Sequence, residues 1–169
     1  MAQSFMKRLY GPSQMWHFIS DLVDSFTDLR RAKKNPDMGN GFTNRLLLAV
    51  TQVNGCRLCS YYHTKMALEE GMSADEVAEI LSGDIASAPA NEHTALLFAE
   101  HYADSAGQPS EMAVSKLTET YGVDQSAQIV AVIRVITVGN LHGNMIDALR
   151  HRLKGQMVKD SSFGGDLCL

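Results

Sequence analysis

The chain has 169 residues, a formal net charge of −4 and 45% hydrophobic residues, which suits one domain with a hydrophobic core. The mild negative charge, without a basic stripe to neutralise phosphates, argues against a nucleic-acid-binding protein. No stretch is predicted to span a membrane, and the N-terminal residues lack the apolar core of a signal sequence.

The first two helices are predicted from apolar spacing and cap residues. The first begins near Ser13 and ends before Asn35-Pro36, because proline disfavours a helical residue ahead of it. The second begins near Asn40 or Thr43, and its segment Leu46 to Val50 has no polar face, which predicts a helix buried on all sides. The apolar residues of the first helix recur at helical spacing: Met15, Phe18, Ile19, Leu22, Phe26 and Leu29.

The next four helices are bounded by local start and stop signals. An Asn54-Gly55 break precedes the third helix. A capping box of Ser73 and Glu76 begins the fourth. The fifth follows a Pro-containing loop, and the sixth is capped by Ser110 and ends at Gly122.

The seventh and longest helix begins after Asp124, which can cap it. Its centre, Ile129 to Ile136, is β-branched and nearly all apolar, so propensity alone also permits a strand. Its length, its cap and the flanking helices favour a buried central helix. The pattern predicts an all-α bundle of seven helices, one domain over residues 1–155, followed by a loosely ordered tail over residues 156–169 that holds Cys168.

The residues with the clearest chemistry are Cys56, Cys59 and His63. The Asn-Gly break places Cys56 at or next to a helix start, with Cys59 in the first turn and His63 one turn later on the same face. The free N–H groups of a helix start favour the thiolate, which is the form that attacks peroxides and disulfides. His63 can take the thiol proton or, as imidazolium, stabilise the anion, while Cys56 can form a disulfide with oxidised Cys59. The pattern predicts a redox dithiol in a reducing cytoplasm.

Two other interpretations of these cysteines stay open. Zinc could bind Cys56, Cys59 and His63, but a structural site needs a fourth ligand, which would come from a distant residue such as His142. Alternatively, both cysteines are small core residues. A C-x2-C-x3-H pattern at a helix start favours the redox site over both.

The same residues resemble the alkylhydroperoxidase D-like (AhpD-like) branch of the carboxymuconolactone decarboxylase superfamily. The resemblance rests on the run from Leu47 to Cys59, followed by His63, Ala67 and Gly71. It covers about residues 40 to 150. Further similar segments are Asp75-Glu76-Val77, Leu96–Tyr102, Thr118–Asp124 and Gln128–Asn140.

The resemblance implies an all-α homo-oligomer, usually a trimer or hexamer, and helices without a polar face also favour such interfaces. It implies thiol-dependent reduction of hydroperoxides without a bound cofactor, with electrons from an external dithiol. In the better-studied relatives a dihydrolipoamide-bearing protein supplies these electrons, which are passed to a peroxiredoxin. Cys59 would then be the peroxidatic thiol, Cys56 the resolving thiol and His63 part of the proton relay.

The chain departs from the family pattern at two positions. The glutamate usually found twelve residues before the first cysteine is Asn44, and a histidine often found before the second is Leu58. Asn44 cannot take a proton at neutral pH, so the usual relay is incomplete. Glu100 is the first acid to consider as a substitute. Tyr62 could wall a substrate pocket and His142 could be a compensating base, although a core aromatic and an ordinary helix-end residue are the commoner roles.

The leading prediction is a thiol-dependent alkyl hydroperoxide reductase. Asn44 and Leu58 favour an alternative, a disulfide reductase, redox relay or sensor that acts on small disulfides without peroxidase activity. A third interpretation is a structural or metal-binding oligomer, or a carboxymuconolactone decarboxylase-like protein with a non-catalytic site. The decarboxylase branch is a poorer match because it generally lacks the paired cysteines.

Overall fold

The computed structural model describes residues 11–153, of which 82% are helical. Within this range the chain forms seven helices and no strand, which confirms the all-α prediction. The helices are α1 (Pro12–Asp24), α2 (Phe26–Ala32), α3 (Asn40–Asn54), α4 (Arg57–Glu69), α5 (Ala74–Ser82), α6 (His93–Asp104) and α7 (Glu111–Leu153), with 3₁₀ turns at Pro36–Met38 and Ala90–Glu92. The predicted tail with Cys168 lies outside the described residues.

The first predicted helix is two helices, because Ser25 interrupts it with a φ of −86° and a ψ of 2°. Its hydroxyl donates to the carbonyl oxygen of Asp21 at 2.8 Å and accepts from the Arg134 guanidinium at 2.6 Å. The break changes the direction in which later side chains point. Phe26, predicted on the packed face, is consequently 53% exposed.

The sixth and seventh predicted helices follow one another without a loop and form α7. Gly122 lies between them with a φ of 74° and a ψ of 167°, a conformation that side chains disfavour. The prediction of a stop at Gly122 is therefore confirmed. Asp124, predicted to cap the following helix, instead binds the side chains of Arg31 and Gln128.

Two helices form the centre of the bundle. α7 packs against α1, α2, α3, α4 and α6, whereas α3 packs against α4, α5, α6 and α7. The apolar segment of α7 is a helix and not a strand, and Ile129 and Ile133 in it are fully buried. In α3, Leu46 and Leu48 are fully buried, whereas Leu47 keeps part of its surface exposed, so the prediction of burial on all sides holds for most of that segment.

By length and composition, one helix of the described chain could span a membrane, the part of α7 from Glu111 to Arg150. The prediction that no stretch is long enough to span a membrane is therefore wrong for this helix, as judged by length and composition alone. In the fold, 56% of the apolar window is buried. That location within the bundle is the one expected of a core helix.

A partly buried cluster of charges joins α3 to α5 and to the turn before α6. The Nε atom of Arg45 donates to Glu76 at 2.7 Å, and its Nη1 donates to both carboxylate oxygens of Glu92 at 3.0 Å. These three side chains are at most 17% exposed. Burial raises the pKa of Glu92, while the positive charge of Arg45 lowers it. Glu92 therefore belongs to a shielded charge cluster and not to the exposed surface.

Replacing Arg45 with leucine is expected to lower the free energy of unfolding by about 2–3 kcal/mol at neutral pH, because two shielded carboxylates lose their counter-charge. The loss should shrink in acid, where Glu92, whose pKa is raised by burial, binds a proton. Urea denaturation at neutral and acidic pH measures both effects.

Arg31→Leu is the matched control, since Arg31 pairs with Asp28 and Asp124 on the surface. Its loss should stay below about 1 kcal/mol. Equal losses in the two variants would contradict the importance of the Arg45 cluster.

Candidate functional site

The two cysteines lie at the turn between α3 and α4. Gly55 ends α3 with a φ of 62° and a ψ of 31°, the left-handed conformation that suits glycine. The chain then enters α4, with Cys56 as its N-cap residue. The predicted break at Asn54-Gly55 and the position of Cys56 at a helix start are both confirmed.

Cys56 caps α4 through its sulfur atom. The Sγ atom accepts a hydrogen bond from the backbone N–H of Cys59 at 3.3 Å, which satisfies one of the N–H groups that a helix start leaves unpaired. The positive end of the helix dipole lies at the same turn and favours a thiolate over a thiol. The turn therefore favours an anionic sulfur.

Cys56 and Cys59 are joined by a disulfide, with 5.2 Å between their Cα atoms. Cys56 is 0% exposed, whereas Cys59 is partly exposed. A reactant from solvent therefore reaches the Cys59 sulfur first.

The backbone of α7 lies against this disulfide at Gly143. A Cβ atom on Gly143 would lie 2.6 Å from the Cys56 sulfur and 3.1 Å from the Cys59 sulfur, so a side chain fits only if they move. The carbonyl oxygen of Gly139 is 3.9 Å from the Cys59 sulfur, within range of a weak S–H bond once Cys59 is reduced. Sequence reasoning missed Gly143.

Four buried polar residues connect α3 and α7 beside the disulfide turn. The Asn144 amide donates to the carbonyl oxygen of Asn54 at 2.8 Å, and the Thr51 hydroxyl donates to the Asn140 side chain at 3.2 Å. All four residues are at most 1% exposed. The sequence carried one signal for them, the four-residue spacing of Gly139-Asn140 and Gly143-Asn144 in an otherwise apolar helix.

His63 lies four residues after Cys59 on α4 and is partly buried. Its Nδ1 atom is buried and has no hydrogen-bond partner in the described part of the chain. Its ring meets that of Tyr62 edge-on, with 5.5 Å between the ring centroids. Burial lowers the pKa of His63 from its ordinary 6.5 because the charged ring is poorly solvated. His63 is thus suited to accept a proton at neutral pH, and less suited to the imidazolium role.

A carboxylate contacts Asn44, the residue at which the resemblance described above implies a glutamate. Asn44 is 3% exposed, and its amide donates to the Glu70 carboxylate at 3.1 Å. Glu70 follows α4 directly and is exposed, as a surface charge would be, yet it is bound to a buried residue. The sequence did not single out this pair, because no periodicity relates an early residue of α3 to the end of α4.

The other sequence candidates lie on three helices. Tyr62 of α4 is 58% exposed and therefore belongs to the surface and not to the core. His142 of α7 is exposed, and its Nδ1 donates to the carbonyl oxygen of Val138 at 2.9 Å, an ordinary bond within the helix. Glu100 of α6 has a buried carboxylate oxygen without a partner in the described range, and burial raises its pKa to about 6.

The zinc interpretation requires a cluster of ligands. Within residues 11–153, no group of three or more His, Cys, Asp and Glu residues could hold a metal ion. The distant fourth ligand considered above, His142, is bonded within its own helix. The described residues do not assemble the ligand set that this interpretation needs.

The disulfide turn lies within a segment that is similar to a known protein family. Residues 44–101 match the sequence model of the carboxymuconolactone decarboxylase family. A comparison with curated proteins found no match. The matched segment begins in α3, includes Cys56, Cys59 and His63, and ends in α6. The match confirms the similarity to the wider family over the segment that contains the disulfide, and it is consistent with the AhpD-like branch, whereas Gly143 of α7 lies outside it.

Glu100→Gln is expected to stabilise the protein at neutral pH by about 1 kcal/mol, after allowance for solvent screening, because it removes a poorly solvated carboxylate. The folded-state pKa of about 6 lies above the ordinary 4.5. The folded protein therefore binds more protons between these values, and wild-type stability falls as pH rises through them. The gain should be absent below about pH 4.5 and complete above about pH 6.

Urea denaturation on both sides of this pH window measures the effect. Glu69→Gln is the control, since the Glu69 side chain is 63% exposed. If both variants follow the same pH profile, burial of Glu100 is not the cause.

Proposed function

Because residues 44–101 carry the sequence pattern of the carboxymuconolactone decarboxylase family, we propose that the protein is a thiol-dependent hydroperoxide reductase of its AhpD-like branch. The observation that supports this most directly is the unequal exposure of two joined cysteines. Cys59 is partly exposed and can meet a substrate, whereas Cys56 is fully buried beside it. One sulfur is placed to react and the other to resolve.

The oxidative step begins with the Cys59 thiolate. Its sulfur attacks one oxygen of a hydroperoxide, so that an S–O bond forms while the O–O bond breaks. His63, neutral at pH 7, accepts the proton of the Cys59 thiol and returns it to the departing alkoxide. The products are a Cys59 sulfenic acid and an alcohol.

Resolution and reduction then complete the cycle. The Cys56 sulfur attacks Cys59, so that the S–S bond forms, the S–O bond breaks and water leaves. A donor thiolate attacks the accessible Cys59 sulfur, and Cys56 leaves as a thiolate. A second donor thiol releases the donor as its own disulfide, so two electrons and two protons enter.

The reductant in this proposal is an external dithiol, and no bound cofactor takes part. A dihydrolipoamide-bearing protein is the proposed donor, and a peroxiredoxin is the proposed further partner. Since such a cycle requires a reducing environment, the proposed location is the cytoplasm.

A disulfide reductase without peroxidase activity is the second candidate. His63 Nδ1 has no partner in the described range, and Asn44 is bonded to Glu70. The usual relay is therefore not assembled around His63. Exchange with a small disulfide requires only the two thiols, so this arrangement favours it.

The exposed apolar side chains of α4 support a proposal of self-association. Three apolar or aromatic side chains on the first turns of α4 are more than half exposed: Leu58 at 58%, Tyr61 at 73% and Tyr62 at 58%. Exposed apolar side chains grouped in this way are typical of protein interfaces. We propose a homo-oligomer, with a trimer or hexamer as the form that the resemblance implies.

Cys59→Ser should abolish turnover of an alkyl hydroperoxide with dithiothreitol as donor, because no sulfenic acid can form. Cys56→Ser should allow one sulfenic acid per chain, detected as a dimedone adduct by mass spectrometry, without turnover. Both variants are made in a Cys168→Ser background, so that only the two paired thiols count.

Parallel assays with a small disulfide separate the two candidate functions. Disulfide turnover without peroxide turnover in the parent protein selects the reductase. Full peroxide activity in Cys59→Ser would contradict both.

His63→Ala should lower the rate of Cys59 alkylation and peroxide reaction by about 100-fold at neutral pH, the lower end of the range for general-base catalysis. Because burial lowers the pKa of His63, wild-type activity should fall only below pH 6.5, as the ring gains a proton. The pH profile of alkylation, followed by mass spectrometry, measures this.

His142→Ala is the matched histidine control, because His142 is exposed and bonded within α7. Its rates should stay within about twofold of wild type, a change worth less than about 0.5 kcal/mol. An identical loss in both histidine variants would remove His63 from the mechanism.

A further inference from the structure

Gly143 is buried, and α7 places its backbone directly against both sulfur atoms of the disulfide. A Cβ atom at this position would come within 2.6 Å of Cys56 Sγ, a separation that real Cβ contacts essentially never show, and 3.1 Å of Cys59 Sγ. Gly139, one turn earlier in the same helix, has open space where its Cβ would be. The contact is specific to Gly143.

We propose that Gly143 sets the redox balance of the Cys56–Cys59 couple. It is a positioning residue, whose missing side chain leaves the space that the two sulfurs occupy when they are bonded. In this way it stabilises the disulfide relative to the dithiol. The inference rests on the proposed function only in treating the two cysteines as a redox couple.

The disulfide needs this space more than the dithiol does. A disulfide holds both sulfurs in one place, and Cys56 Sγ also accepts the N–H of Cys59. In the dithiol the S–S bond no longer fixes the two sulfurs, so the Cys56 side chain can turn about its χ1 angle away from position 143, and the partly exposed Cys59 can turn toward solvent. A methyl group at position 143 should therefore raise the free energy of the disulfide more than that of the dithiol.

The test is an equilibrium with dithiothreitol in a Cys168→Ser background. The protein disulfide and reduced dithiothreitol exchange two electrons and two protons to give the protein dithiol and cyclic oxidised dithiothreitol. Alkylation traps the free thiols, and mass spectrometry gives the ratio of the two protein forms. Gly143→Ala should shift the equilibrium constant toward the dithiol by at least about tenfold, which corresponds to about 30 mV.

Gly139→Ala is the matched control. It makes the same replacement in the same helix, gains the same helix propensity and keeps its backbone carbonyl. Its equilibrium constant should remain within about twofold of wild type, or about 9 mV. The inference is overturned if the equilibrium constant of Gly143→Ala also stays within about twofold of wild type. It is equally overturned if that constant shifts toward the disulfide.

A second comparison covers the case in which Gly143→Ala does not fold. In a Cys56→Ala background the nearest sulfur is absent and Cys59 is free to turn. In that background the Gly143→Ala variant should fold. Its midpoint of unfolding should lie at the same denaturant concentration as that of the Cys56→Ala parent, or at a higher one. If the substitution is equally harmful in both backgrounds, the contact with Cys56 is not its cause, and the inference is overturned.

The same equilibrium separates this inference from the proposed function. A wild-type couple that equilibrates with dithiothreitol, together with the shift in Gly143→Ala, supports the inference even if no hydroperoxide is turned over. A wild-type disulfide that never equilibrates with dithiothreitol overturns both.

Discussion

The close approach of α7 to the disulfide turn is the constraint on which the candidate site depends. The apolar centre of α7 is held inside the bundle by α3 and α6, so this helix has little freedom to move away. The hydrogen bonds from Asn144 to Asn54 and from Thr51 to Asn140 then fix the position of α7 along its axis relative to the disulfide turn. With the helix fixed in this way, the backbone at position 143 lies directly against the two sulfur atoms. Only glycine, which has no side chain, leaves room for them.

The two sides of the site contribute different physical effects. α4 contributes electrostatics, through the N–H that Cys56 accepts and through a histidine, His63, that burial keeps uncharged at neutral pH. α7 contributes shape, through Gly143. The carboxylate that contacts the buried Asn44 comes from Glu70, after the last residue of α4. Most of the polar chemistry thus lies in or directly after one short helix, while a long one shapes the space beside it.

The features that were predictable from the sequence are those set by local chain geometry. Gly55 and Gly122 both have positive φ angles, and each is recognisable as a break without knowledge of the fold. The break at Ser25 was not recognised, because it involves a bond from Arg134, more than a hundred residues away. The role of Gly143 was missed for the same reason, since the crossing of α7 and α4 leaves no periodic signal in either helix. A glycine that shapes a turn can be recognised from the sequence, whereas a glycine that makes room for a neighbouring side chain cannot.

The unequal burial of the two cysteines also bears on kinetics. An oxidant and a dithiol that both react at the Cys59 sulfur use the same approach, because Cys56 is closed to solvent. They must then alternate, with the first product leaving before the second reactant arrives. Such a cycle has the double-displacement pattern, in which double-reciprocal plots are parallel lines. A large excess of either reactant would then hold the protein in the form with which only the other reactant can react.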